Sequence, residues 1–160
     1  NKDLAFIMNR GGIAMGVKVL WNNPKVDMAI LQCGSIPSDA RYFMIDSDVD
    51  ELPKVAERIM HCGFLKGTEV STNFFVYQGS ISNYDPSKQL GERCFDAILS
   101  GIEATHGCSG GPVFRESDFN VIGALQGGFN DAPARIITDI HQLFNQSTLK
   151  IENYYAENKQ

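Results

Sequence analysis

Residues 106–114 read HGCSGGPVF, and this stretch holds a candidate nucleophile, Ser109, with glycines on both sides at 107, 110 and 111. A serine hydroxyl attacks a carbonyl only when a base removes its proton, and the resulting oxyanion needs fixed N–H donors aimed at one point. Glycines let the backbone turn sharply and bring such donors close, because no Cβ stands in the way. Gly107 and Ser109, two positions apart, suit a donor pair. The competing explanation is a glycine-rich loop that merely makes a tight turn. Cys108 is the other nucleophile on offer, but it fills the position before the serine and reads better as a small buried hydrophobe.

No other cluster competes with this one. Cys33, Cys62, Cys94 and Cys108 form no CxxC pair, so metal-ligand spacing is absent and neither a metal nor a cofactor is called for. Net charge is −5, from 14 basic and 19 acidic residues, with no Lys/Arg run. That excludes the electrostatic footprint of a nucleic-acid or anionic-membrane partner. No apolar stretch reaches the length of a membrane span, and the amino end lacks the basic and apolar regions of a signal peptide. Free thiols in a chain of this size point to a reducing, intracellular compartment, although the sequon at Asn145 argues the other way. The first residue is Asn rather than Met, as expected for a processed chain or a portion of a longer one.

The elements that must position these residues are mostly β. Residues 13–21 and 26–33 are β-rich runs joined by NNPK, a turn, and so read as a hairpin. Residues 69–82 and 94–101 read as strands around a loop of turn formers. PVFRE and VIGALQGG read as a hairpin directly after the glycine-rich stretch. Residues 51–63 fit helix or strand. ARIITDIHQLFNQ, 134–146, has helical spacing, with Ile136, Ile140, Leu143 and Phe144 on one face and His141 at its polar edge.

GCSGGPVF followed by NVIGALQGG resembles the nucleophile region of chymotrypsin-fold, trypsin-like serine proteases, in the intracellular, bacterial and viral branch of that family. KVDMAIL, 25–31, is similar to the segment that carries the family's triad aspartate. HCGFLKGTEVSTNFFVYQGSIS is similar to the stretch between them, with Leu65 where the family has proline. The resemblance covers roughly residues 13–130. It implies a chymotrypsin-like double β-barrel in which Ser109 is the nucleophile, Asp27 orients the catalytic imidazole, and the N–H groups of Gly107 and Ser109 hold the oxyanion. It also implies a substrate groove lined by Glu103, Thr105, His106, Leu125, Gln126 and Gly127, along which a peptide pairs in β fashion. Glu103 would favour a basic P1 side chain. Leu125 stands where glutamyl-specific members have histidine, which speaks against an acidic P1 side chain, and Gly127 and Gly128 leave an open wall that medium or large P1 residues should fit.

The departure is the base. The family places its histidine upstream of the aspartate, whereas His61, His106 and His141 all follow Asp27. The segment before Asp27 also supplies too few strands to close a first barrel. The expected layout is therefore the end of an incomplete N-terminal barrel at 1–50, the nucleophile barrel at 51–133, and a C-terminal helix and tail at 134–160. The expected partners are a peptide or protein substrate and an N-terminal segment that carries the catalytic histidine. An inactive, protease-like binding or scaffold domain is the alternative. A Ser–acid–His order on an α/β-hydrolase elbow, which needs a helix directly after the serine, is opposed by Pro112 and the β-rich VFRE that follows it.

Overall fold

The computed structural model describes residues 4–8, 14–25, 27–34, 42–46, 51–64, 74–85, 94–99, 108–128 and 134–143. The first three strands, β1 (Leu4–Met8), β2 (Ala14–Asn23) and β3 (Met28–Cys33), form an antiparallel sheet in the order β1-β2-β3. The expected hairpin is β2–β3, and its turn is held by the Lys25 N–H donating to Asn23 Oδ1 at 3.0 Å. Strand β1 is an addition to the sequence reading.

The other six strands close into an antiparallel barrel: β4 (Arg58–Phe64), β5 (Phe74–Tyr84), β6 (Cys94–Leu99), β7 (Pro112–Arg115), β8 (Val121–Gly128) and β9 (Ala134–Asp139). Their order is β4-β5-β6-β9-β8-β7, and pairing of β4 with β7 completes the ring and removes the sheet edges. Register shifts between Ile81 and Asn83, Val113 and Phe114, and Leu125 and Gly127 bend the strands around the closure. Alternation places Phe95, Ala97 and Leu99 of β6 inside, where they meet Ile59, Ile81, Val113, Ile122, Leu125 and Ile137. Mostly β architecture, with a closed barrel beside a second sheet, agrees with the expected fold class.

One element differs from expectation. The helix predicted over 134–146 is β9 at Ala134–Asp139, followed by a single 3-10 turn at Ile140–Leu143. Consecutive β-branched residues at 136–138 suit a strand, and β9 sits between β6 and β8 with a partner on each side. Strand β9 is thus a barrel stave within the segment assigned to a C-terminal helix. His141 is not at a polar edge but fully buried.

Residues 42–46 run beside the barrel. The Val121 N–H donates to Met44 O at 2.8 Å and the Asp46 N–H donates to Val121 O at 2.9 Å. Phe43 packs on Phe114 with ring centroids 4.6 Å apart. Among the described residues no helix is long and apolar enough to cross a membrane.

Candidate active site

Cys108–Gly111 is a β-turn closed by the Gly111 N–H donating to Cys108 O at 3.1 Å. Its third residue, Gly110, has φ of +81°, the left-handed value that a type II turn requires there. Ser109 occupies the outer corner and is exposed, while Cys108 beneath it is buried. Strand β8 clamps this turn from one side. The Gly110 N–H donates to Leu125 O at 2.7 Å and the Leu125 N–H donates to Gly111 O at 3.0 Å. Leu125 was expected to line the groove, but both of its backbone polar groups hold the turn and its side chain lies in the core. Its place is behind the serine, not against a substrate.

Gln126 and Gly127 follow on the same strand. Gln126 lies at the register shift, and its Oε1 accepts from Cys94 Sγ at 3.8 Å. A Cβ built on Gly127 would meet no atom within 4 Å, whereas one built on Gly128 would lie 2.8 Å from Arg135 Nη1. Gly107, Glu103, Thr105 and His106 lie outside the described residues. Asp27 stands exposed on the β2–β3 turn with φ of +52°, a conformation aspartate tolerates better than most residues. The barrel brings Ser109, Leu125, Gln126 and Gly127 together. Among the described residues no hydrogen bond or ion pair joins Asp27 to Ser109.

Neither described histidine is placed as the base. His61, on β4, is fully buried directly under the turn, with Nδ1 3.1 Å from Pro112 O. That carbonyl fixes Nδ1 as the donor and leaves Nε2 as a lone pair, which has no partner among the described residues. A Cβ on Gly111 would lie 2.6 Å from His61 Cε1, so the ring and the turn fit only because residue 111 has no side chain. Desolvation holds the imidazole below its ordinary pKa and outweighs the Pro112 bond, which favours the charged form. His61 is therefore a neutral prop for the nucleophile turn.

His141 belongs to a second buried cluster that the sequence reading missed. Its Nδ1 is 2.7 Å from Asp139 Oδ1 and its Nε2 is 3.5 Å from Asp46 Oδ2. Desolvation alone would lower its pKa, but the Asp139 bond and the charges of Asp139 and Asp46 overcome that and raise it. Arg115 binds Asp46 and Glu57 at 2.8 Å each and Asp118 at 2.9 Å. The cluster ties residue 46 to the barrel. Only the Asp-x-His spacing at 139 and 141 hinted at it in the sequence. Cys33, Cys62, Cys94 and Cys108 form no disulfide with one another, and among the described residues no group of three or more His, Cys, Asp or Glu side chains is placed to hold a metal.

The family model for the trypsin-like peptidase domain matches residues 2–123. Among solved structures, the chain is similar to the Rv3671c protease in its inactive form, with a TM-score of 0.59 and 19% identity. The match covers 85% of this chain and 66% of that one, so this chain spans just under two thirds of the protease's length. At that identity the likeness shows the fold alone. A search of curated proteins found no match.

Proposed function

Because this chain belongs to the trypsin-like peptidase family, we propose that it is a serine endopeptidase, or the C-terminal portion of one. The observation that carries the reading is the turn at Cys108–Gly111: an exposed serine at its corner, positive φ at Gly110, and two hydrogen bonds from β8 that fix it. Ser109 Oγ attacks the scissile carbonyl carbon while a histidine, supplied by a segment outside this sequence, takes its proton. The N–H groups of Gly107 and Ser109 stabilise the tetrahedral oxyanion, and Asp27 stabilises the imidazolium. The same imidazole then protonates the leaving amine, and water hydrolyses the acyl-enzyme by the reverse proton path. Loss of one oxyanion donor costs about 3–4 kcal/mol of barrier in enzymes of this kind.

The sheet that carries Asp27 supports a further segment. Strands β1 and β3 are its edges, and Leu20 and Leu31 stand exposed on it. Such edges and apolar side chains are the surface another strand would cover. The competing reading, an inactive protease-like binding domain, draws on the burial of His61 and His141 and on their commitment to other partners.

A fluorophosphonate probe tests the proposal. The chain is labelled alone and together with the polypeptide that precedes it in the intact protein, and the adduct is mapped by peptide mass spectrometry. A Ser109 adduct that appears with the preceding segment and is absent in Ser109→Ala is the expected result. No adduct under either condition would leave the binding-domain reading.

A further inference from the structure

The two buried histidines sit in opposite settings. His141 has carboxylates near both ring nitrogens, Asp139 at 2.7 Å and Asp46 at 3.5 Å. His61 has none: Nδ1 donates to Pro112 O at 3.1 Å, and among the described residues Nε2 has no partner. The described titratable groups around His61 are Cys62, next to it on β4, Tyr77 on β5, whose ring stacks on it with centroids 6.1 Å apart, and Cys108 at the start of the turn; β7 adds Pro112 and Val113, which do not titrate. None of these is an anion in mild acid. A second proton on the ring therefore meets neither a counter-charge nor an acceptor among the described residues, and a buried, unpaired imidazolium is unstable until something around it moves.

What can move is the turn that carries Ser109. Ring and turn meet without slack: a Cβ on Gly111 would stand 2.6 Å from Cε1, and one on Gly63 would stand 3.3 Å from both Nε2 and Cys108 Cα. Nε2 and the first residue of the turn thus border the same gap. Pro112, which accepts from Nδ1, directly follows the last residue of the turn, so the ring supports the turn at both of its ends. Strand β4, which carries the ring, is paired with β5 along its whole length from Arg58 to Phe64. The turn is fixed only by its own bond from Gly111 and by the two bonds that it shares with Leu125. Between a strand in a closed barrel and a short turn, the turn yields, and its opening lets water reach the ring.

We propose that His61 is a positioning residue of this site: its neutral ring, with Nδ1 donating to Pro112 O, holds the turn in the shape that presents Ser109, and a proton added at Nε2 in mild acid opens the turn and silences the serine. The assignment rests on the reading of Ser109 as nucleophile. Its test is amide hydrogen exchange on the full chain across a pH series. The open state exposes a ring with an ordinary value of about 6.5, so protection of the Gly110, Gly111 and Leu125 amides, corrected for intrinsic rates, should be constant above that pH and fall about tenfold per pH unit below it. Amides between β6 and β9 should stay protected over the same range. His61→Asn keeps an amide donor near Nδ1 and cannot titrate, so its turn amides should show no acid limb; the wild-type series alone decides the matter if that variant folds poorly. With the preceding polypeptide present, fluorophosphonate labelling of Ser109 should fall about a hundredfold per pH unit below both midpoints, one proton for the catalytic base and one for His61, and about tenfold in His61→Asn. Turn amides that keep constant protection through mild acid, that lose it only together with the β6–β9 amides, or that lose it equally in His61→Asn would overturn the assignment. The two readings fail separately. A turn that opens in acid around a serine that never labels sinks the catalytic reading alone, whereas a labelled serine with the same one-proton limb in both proteins sinks the His61 assignment alone.

Discussion

Alanine at Gly111 would place a methyl carbon 2.4 Å from Cys62 O, 2.6 Å from His61 Cε1 and 3.0 Å from Cys108 O. Two of these neighbours are backbone oxygens, which no side-chain rotation can move. The third belongs to a fully buried ring anchored at Pro112 O and stacked on Tyr77. Overpacking a tight site costs about 1–3 kcal/mol, and rigid neighbours place this case at the top of that range. With roughly 2–4 °C per kcal/mol for a chain of this size, Gly111→Ala should lower Tm by about 6–12 °C. Gly110→Ala is the control. Its Cβ would meet nothing within 4 Å, so only the φ of +81° opposes it, at about 1–2 kcal/mol. Thermal and urea unfolding would rank the two. Hydrogen exchange at the Gly110 and Leu125 amides would show whether the clamp from β8 loosens along with stability. A Gly111→Ala protein as stable as the wild type, or a larger loss from Gly110→Ala, would refute the argument that His61 and the turn are packed against each other.

Two histidines should bend the pH dependence of stability in opposite directions. His61 has a lowered folded pKa, so its contribution is complete above the ordinary value of about 6.5 and is lost as pH falls below it; His61→Phe should flatten that acid limb of the urea midpoint. His141 has a raised folded pKa, so its contribution is complete below about 6.5 and is lost as pH rises through the folded value; His141→Gln should remove that second slope. Arg115→Gln leaves Asp46 buried without its guanidinium and should cost about 3–5 kcal/mol, whereas Asp46→Asn, which leaves Arg115 with Glu57 and Asp118, should cost less in the same titration. In the labelling assay, Ser109→Ala should abolish the fluorophosphonate adduct outright.

Local chemistry made much of this chain readable. The turn at Ser109 follows from consecutive glycines, because positive φ at Gly110 and the close approach at Gly111 are backbone demands that a residue type states directly. The hairpins β2–β3 and β7–β8 follow from alternating apolar residues around turn formers, a period that needs no distant partner. Strand β9 did not follow, because its isoleucines satisfy helical spacing equally well until β6 and β8 leave a slot between them. Leu125 looked like a groove residue and became the clamp, since which of its groups is free depends on the strand's register against the turn. The Asp46–Arg115 bond joins residues 69 positions apart, and Gly128 meets Arg135 across a strand pair. Charge type could be read along the chain, but burial and partner could not: both arise from which strands close the barrel, and that is settled by long-range pairing and exclusion of water rather than by neighbours in sequence.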